Sequence, residues 1–185
     1  MNFLASIPIR FLTRSNTVTT MPTMLENSIQ SIPREPGSYI LWLHNPRSKD
    51  LTVGRLGRFN FPAGDYIYIG SAHGPGGLRA RLGRHLRGSG KQHWHVDYLR
   101  TAAQVSGFGY QISAVHFLSA PHLPSTECDW SQRLAVLPEA GLPIPGFGAS
   151  DCRSGCAAHL IYFPDYIQKI PERIADQTGV SLRII

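Results

Sequence analysis

Residues Asp65–His85, with the sequence DYIYIGSAHGPGGLRARLGRH, join a strand pattern to a glycine-rich turn and a short basic helix. Tyr66 and Tyr68 alternate with Ile67 and Ile69, which places the two tyrosines on one face of a β-strand and the two isoleucines on the other. The glycines after the strand allow a tight turn in which the backbone can approach a ligand closely. A fold needs only a turn here, so the basic helix that follows indicates an anionic partner.

The helix after this turn has an apolar side and a basic side. Leu78, Leu82 and Leu86 recur every fourth residue and form one apolar stripe, and Arg81 and His85 share a face at its border. Guanidinium groups match the geometry of phosphate oxygens. The residues alone therefore predict a phosphate-binding site of modest specificity, with a hairpin edge and a solvated basic helix as the structural alternative.

The charge of the chain is concentrated in its middle. The formal net charge is +6, and ten of the eighteen Lys and Arg residues lie between Arg47 and Arg100. The only acidic residues in that range are Asp50, Asp65 and Asp97. A basic region of this kind favours a negatively charged partner such as nucleic acid.

The order of predicted elements is that of a small α+β domain. Three β-forming runs, in PREPGSYILWLHN, LTVGRLG and DYIYIGSA, lie close together and predict an antiparallel arrangement. The basic helix, a strand in GYQISAVHFLS, a helix in STECDWSQRLAVL and a final strand ending at residue 163 follow them. Residues 1–33 are predicted to be a disordered extension, residues 34–163 the folded domain and residues 164–185 a C-terminal tail.

Three features concern the cellular compartment. No apolar run approaches the roughly 20 residues of a membrane-spanning helix, which predicts no membrane association. The N-terminal segment has no acidic residue before Glu26, a composition typical of a transit peptide, and Pro8 and Arg10 break its apolar stretch, which argues against a secretory signal. Three cysteines, an odd number, argue against a disulfide framework. A cytoplasmic protein is expected, with organellar targeting by the N-terminal segment left open.

Four motifs, taken in order, resemble those of the GIY-YIG nuclease family. They are Gly37-Ser38-Tyr39, Tyr68-Ile69-Gly70, Arg81-Leu82-Gly83-Arg84-His85, and Glu127 with Trp130 in a later helix. The phrases VGRLG, FPAGDYIYIGSA, GGLRARLGRHLR, HWHVDYL and GFGASDC are similar to the Uri-type branch of that family. The resemblance covers about residues 35–163.

The chain departs from the family pattern at three places. Ser38 replaces an Ile in the first motif, and a long insertion separates the two tyrosine motifs. Extra residues in the turn before the helix leave Arg79 as a competitor to Arg81, although Arg81 alone stands one helical turn before His85.

The resemblance implies an α+β fold with a small three-stranded antiparallel core sheet flanked by helices, here with an inserted strand and a C-terminal strand. It also implies a divalent-metal-dependent endonuclease that hydrolyses DNA phosphodiester bonds. The catalytic residues carried over from the matching motifs are Tyr39, Tyr68, Arg81, His85 and Glu127.

The chemistry of hydrolysis explains these residue types. A phenolate of Tyr39 or Tyr68 can take the proton of the attacking water if its pKa falls from about 10, and Arg81 favours that charged form. The same guanidinium stabilises the charge that grows on the phosphate oxygens. Glu127 would hold one Mg²⁺ or Mn²⁺ ion, and His85 would act as a base or orient a tyrosine or a water.

The expected partner is DNA, in repair or in the processing of unusual structures, with low sequence specificity. Single-stranded, duplex and branched DNA stay open as substrates, and so does RNA. Two other classes of function are kept: a nucleic-acid-binding module without catalysis and a hydrolase of small phosphate compounds. The residues predicted to contact nucleic acid are Arg79, Arg84, Arg87, Lys91, His93 and His95.

The cysteines raise a separate question. Their spacing suits a structural zinc ion, although the paired Cys-x₂-Cys of many zinc sites is absent. The simpler interpretation is three free cysteines that pack as small apolar residues. Asp151 in the GFGASDC stretch is open as a helix cap, a partner of His95 or a further metal contact. The possible zinc ligands are Cys128, Cys152, Cys156 and His159.

Overall fold

The computed structural model describes residues 21–88, 90–106, 111–119, 126–164 and 183–184. None of the described helices has the length and apolar character that crossing a bilayer requires. The elements in chain order are α1 (Met21–Ser31), β1 (Gly37–Asn45), β2 (Lys49–Val53), β3 (Gly57–Phe61), β4 (Gly64–Ser71), α2 (Gly77–Arg87), α3 (His95–Ser106), β5 (Gln111–Ser119), α4 (Thr126–Ala135), β6 (Leu160–Phe163) and β7 (Arg183–Ile184).

Five of the described strands form one antiparallel sheet in the order β6-β4-β1-β5-β7. The unit β4-β1-β5 lies at its centre and confirms the predicted α+β fold with a three-stranded antiparallel core. The predicted C-terminal strand is β6, which pairs with β4 along its whole length.

Side-chain alternation along β1 and β4 divides the core into two layers. Tyr39 and Tyr68 face the layer that Leu82 of α2 covers. Ile40 faces the opposite layer, which is covered by Trp130 of α4. The two tyrosines and the basic helix α2 therefore lie on the same side of the sheet.

The insertion between the two tyrosine motifs forms a hairpin rather than the single strand that the sequence predicts. Strands β2 and β3 pair in a separate two-stranded sheet, with Leu51 opposite Phe59. On the solvent face, the Asp50 carboxylate contacts Arg58 at 3.2 Å and accepts a hydrogen bond from Asn60 at 2.8 Å. The alternation of apolar and polar residues in GRFNF is the signal for β3, and the neighbouring Gly and Pro concealed it.

The prediction that residues 1–33 are a disordered extension is wrong for residues 21–31, which form α1. Ile29 is buried, and so is Ile32 just beyond the helix. Glu26 forms an ion pair with Arg87 at 2.8 Å, which ties α1 to α2. Leu25, Ile29 and Ile32 follow one another at helical spacing, and this pattern was available in the sequence. Residues 1–20 lie outside the described residues.

The C-terminal tail predicted for residues 164–185 contributes to the sheet. Strand β7 pairs with β5, with Ile184 opposite His116. The boundary at residue 163 therefore does not end the fold. Residues 165–182 and 185 are not among those described.

The start of α2 packs so closely on the segment before β1 that Gly77 tolerates no side chain. Its φ is +55°, and a Cβ there would overlap the carbonyl oxygens of Arg34 and Glu35. We expect Gly77→Ala to destabilise the protein by at least about 2 kcal/mol, measured by urea or thermal unfolding. Gly74→Ala is the matched control, because a Cβ at Gly74 meets nothing within 4 Å. Equal unfolding midpoints for the two variants would contradict this account of the turn.

Candidate functional site

One cleft collects side chains from β1, β4, α2, α4 and the loop before β6. Its volume is about 340 Å³. Four of the five residues predicted to be catalytic line it, namely Tyr39, Tyr68, Arg81 and Glu127. The fifth, His85, lies directly behind Tyr39, with its Nε2 atom 2.9 Å from the phenolic oxygen. The structure thus brings together all five residues around one space.

The register of the sheet explains why the two phenols meet. Tyr39 pairs with Gly70 and Tyr68 pairs with Leu41, so the tyrosines are diagonal neighbours on one face. Their ring centroids are 6.3 Å apart. A Cβ on Gly70 would lie 2.5 Å from the hydroxyl of Tyr39. The glycine that ends the Tyr-Ile-Gly motif therefore makes the room that the Tyr39 ring occupies.

Tyr39, His85 and Asp97 form a buried polar series. Burial, together with the nearby charge of Arg100, lowers the pKa of His85 to about 3, so its ring is neutral at pH 7. The Nδ1 atom of that ring lies 3.9 Å from Asp97 Oδ1, too far for a hydrogen bond, but the nearby carboxylate favours the tautomer that carries the ring proton on Nδ1. Nε2 is then the acceptor, and the Tyr39 hydroxyl donates to it.

Asp97 is the residue of this series that the motifs in the sequence did not single out. Burial would raise the pKa of its carboxyl, but the backbone N–H groups of Trp94 and His93, together with Arg84 and Arg100, lower it overall. Arg84 lies 2.6 Å from its Oδ2 atom, and Arg100 lies 3.7 Å from Oδ1. An acid in the first turn of α3, three residues after Trp94, was the signal that could have identified it.

The pKa values of both phenols move opposite to the expected direction. Burial raises the pKa of Tyr39 well above its ordinary value, and the charge of Arg81 only partly opposes this. Burial also raises the pKa of Tyr68, and the neighbouring Tyr39 and Glu127 add to the shift. Desolvation outweighs the guanidinium because both rings lie in the core layer under α2. Both phenols are therefore protonated at neutral pH.

Arg81, rather than its competitor Arg79, reaches the cleft. Its guanidinium carbon lies 3.8 Å from the centroid of the Trp94 ring. Among the described residues, Arg81 has no carboxylate within ion-pairing distance. Arg79 instead donates to the backbone oxygen of Ile32 at 2.6 Å. Trp94 is half-buried, packs against the core and supports the arginine.

The remaining residues predicted to contact nucleic acid divide into two groups. Arg84 and Arg87 are paired with Asp97 and Glu26, so their charges are largely balanced within the protein. The others lie beside the cleft or in the segment before α3, and they are Lys91, His93 and His95.

The GFGASDC stretch, for which no mechanism was available from the sequence, forms the floor between these histidines and the cleft. Gly148 has φ +73°, and a Cβ on it would lie 3.0 Å from both Tyr68 and His159. Its backbone N–H donates to His95 Nδ1 at 2.8 Å. The stretch therefore holds His95 and carries Asp151 to the cleft wall.

A second set of donor atoms adjoins Glu127. One ligand atom from each of four residues lies within 4.8 Å of the others, and this cluster could hold a metal ion. The three cysteines are free and only partly buried, which differs from the simpler interpretation of separate, packed thiols. The cluster consists of Cys128, Cys152, Cys156 and His159.

Glu127 joins the cleft to this cluster. Its Oε1 atom lies 2.8 Å from His159 Nδ1. Burial alone would lower the pKa of His159, but the hydrogen bond and charge of Glu127 raise it overall. The Glu127 side chain is 18% exposed, so it is accessible from the cleft.

Comparison with known proteins gives one match. A family model described as a domain of unknown function, DUF123, matches residues 38–179. The match extends beyond residue 163, where the folded domain was predicted to end. No curated protein matches the chain. No solved structure matches it either.

Proposed function

The chain belongs to the DUF123 family, and for it we propose divalent-metal-dependent hydrolysis of phosphodiester bonds in nucleic acid, with DNA as the expected substrate. The observation that carries this proposal is the meeting of two phenols, one guanidinium and one carboxylate around a single cleft. The resemblance of the motifs to GIY-YIG endonucleases supports the same reaction.

Tyr39 positions the attacking water and receives its proton. In this scheme the hydroxyl proton of Tyr39 is directed at His85 Nε2, and the phenolic oxygen, which also lies beside Arg81 at the cleft wall, accepts a hydrogen bond from the attacking water. The water becomes acidic as its oxygen bonds to phosphorus. Its proton then moves to the Tyr39 oxygen while the phenol proton passes to His85, beside the Asp97 carboxylate, and His85, whose pKa is low, releases that proton to solvent before the next turnover. This sequence does not require a phenolate in the resting protein.

Arg81 stabilises the charge that develops on the phosphate oxygens as the bond to the leaving oxygen breaks. Its guanidinium is held over Trp94 and has no competing carboxylate in the described part of the chain. A guanidinium that is already fixed in place costs little reorganisation when the charge appears. The leaving alkoxide takes up a proton from solvent.

Glu127 fits the role of ligand to a divalent cation. One of its carboxylate oxygens is engaged with His159, which leaves the other for an ion in the cleft. A single carboxylate suits Mg²⁺, which retains most of its waters. When bound, Mg²⁺ or Mn²⁺ would supply Lewis-acid stabilisation of the phosphate and the leaving oxygen. For the separate Cys₃His cluster the donor set suits Zn²⁺.

The shape and charge of the cleft favour recognition of the backbone of a nucleic acid over reading of its bases. The cleft is open, and the charges of Arg84 and, on the other side of α2, of Arg87 are balanced by acids. Backbone affinity should therefore be modest and should fall with salt. Repair or the processing of unusual DNA structures is the role we propose, with low sequence specificity.

The test is a cleavage assay on duplex, single-stranded and branched DNA, with matched RNA and with mononucleotides. We expect cleavage of at least one DNA structure when Mg²⁺ or Mn²⁺ is added, and none when the ion is omitted. Omission is a better control than a chelator, which would also remove zinc. Binding without cleavage across the whole panel would replace this proposal with a nucleic-acid-binding module. Hydrolysis of mononucleotides alone would indicate a small-phosphate hydrolase.

A further inference from the structure

His159 is held rigidly between the cleft and the Cys₃His cluster. Its backbone N–H donates to Phe147 at 2.7 Å, and its carbonyl accepts from Ile69 of β4 at 2.9 Å. Its ring is 3% exposed. The Nδ1 atom faces the Glu127 carboxylate, so Nε2 is the nitrogen that remains for a metal ion.

The cysteines of the cluster come from two segments that are also tied together. Cys128 lies on α4, and the loop before β6 supplies the other two. Ser131 of α4 donates to the carbonyl of Ala158 at 2.6 Å, and Gln132 donates to that of Ser154 at 3.0 Å. The Sγ atoms of Cys128 and Cys152 are 3.5 Å apart. This is close to the distance between two thiolate sulfur atoms that bind one tetrahedral zinc ion, for which each Zn–S bond is about 2.3 Å long.

We propose that the cluster binds one zinc ion through three thiolates and His159 Nε2, and that zinc-bound His159 fixes the orientation of Glu127. A metal-bound histidine commonly donates its other ring N–H to a carboxylate, and His159 Nδ1 lies 2.8 Å from Glu127 Oε1, close enough to donate after a small rotation of the ring. His159 is then a positioning residue that directs the second carboxylate oxygen into the cleft. This last step rests on the proposed function, whereas the zinc site itself does not.

The first test measures zinc in the intact chain by elemental analysis after purification without chelators. We expect about one zinc per chain. Cys152→Ser and Cys156→Ser should lose most of it, and Asp129→Asn, an exposed change on α4 outside the cluster, should retain it. Replacement of zinc by Co²⁺ in the wild-type chain should give thiolate charge-transfer bands and strong visible absorption of a tetrahedral site, a readout that does not depend on how the variants fold.

The second test concerns the coupling between Glu127 and zinc-bound His159. It measures the affinity of the protein for zinc by competition with a chromophoric chelator. Glu127→Ala should weaken zinc binding by about 10- to 100-fold, because it removes the carboxylate that orients His159. Glu127→Gln keeps an acceptor for the ring N–H and should lose less. Unchanged zinc affinity in Glu127→Ala would overturn the coupling.

Two results would overturn the zinc site. One is wild-type protein that stays free of zinc, and gives no tetrahedral spectrum with Co²⁺, after equilibration with each metal. The other is a mass lower by two hydrogens without bound metal, which would mean that two of the three cysteines form a disulfide. Cleavage at the wild-type rate by zinc-free protein would overturn the coupling of zinc to Glu127 and leave the proposed function intact. A zinc-loaded protein that cleaves no substrate would contradict the proposed function and leave the zinc site intact.

Discussion

We expect Glu127→Gln to lower Mg²⁺-dependent cleavage by at least about 10³-fold, which corresponds to a loss of roughly 4 kcal/mol of transition-state stabilisation. The amide has nearly the shape of the carboxylate but no negative charge, so it cannot hold a divalent ion in the cleft. The amide oxygen can still accept from His159 Nδ1, which lies 2.8 Å from the Glu127 carboxylate in the wild-type protein. Single-turnover cleavage of the preferred DNA structure measures the effect.

The control for this variant is again Asp129→Asn, two residues further along α4. Asp129 is half-exposed and pairs with Arg133 at 2.8 Å, away from the cleft. Its replacement should change cleavage by less than about threefold. DNA affinity and zinc content should be close to wild type in Glu127→Gln. Near-normal cleavage by this variant would remove Glu127 from the chemistry and place the cation elsewhere.

Local patterns in the sequence were sufficient to predict the centre of the fold. Alternation of Tyr and Ile defines β4 and the face on which Tyr68 lies, and the leucine stripe defines α2. The four-residue spacing of Arg81 and His85 places them on one side of that helix. These features depend on neighbours within one or two turns, so a sequence carries them directly.

The environment of the site depended instead on contacts between residues far apart in the chain. Glu26 neutralises Arg87 from 61 residues away, through a helix that was predicted to be disordered. Asp97 acquires its role only because α3 packs against α2 and brings Arg84 to it. A count of charges along the sequence could not reveal which arginines are already paired.

Protonation states were the second property that the sequence could not supply. A guanidinium near a phenol lowers the phenol pKa in water, and on that basis a phenolate was expected. The Tyr39 side chain is 1% exposed, so the cost of burying a charge exceeds that benefit. For the proposed mechanism, this favours a relay that starts from the protonated phenol of Tyr39 and passes to His85, in place of a pre-formed phenolate base.

The cysteine cluster also depends on contacts between residues far apart in the chain, which the sequence does not reveal. Cys128 and Cys152 are 24 residues apart, and only the path of the loop between α4 and β6 brings their sulfur atoms to 3.5 Å. The absence of a Cys-x₂-Cys pair argued against a metal site because that pair places two ligands through local geometry alone. In this protein, hydrogen bonds from the loop before β6 to α4 and β4 position the cysteines instead.

Arg81→Ala is expected to lower cleavage by about 10²- to 10³-fold, the range found when one donor to a developing oxyanion is removed. Most of the loss should appear in kcat, because the guanidinium acts on charge that grows in the transition state. Arg81→Lys should recover only part of the rate, since an ammonium cannot contact two phosphate oxygens in one plane. The free energy of unfolding should fall by no more than about 1 kcal/mol, because the substitution mainly removes the stacking of the guanidinium on Trp94.

Arg79→Ala is the matched control, two residues earlier on the same helix and with the same formal charge change. Arg79 donates to the Ile32 carbonyl and to Gln30 on the opposite side of α2 from the cleft. Its replacement should lower the free energy of unfolding while leaving kcat within about threefold of wild type. Equal losses of cleavage in the two variants would mean that the positive charge of α2 acts only by attracting the nucleic acid. A loss confined to Arg81 would support the proposal that its guanidinium, held over Trp94 at the cleft, acts on the reacting phosphate.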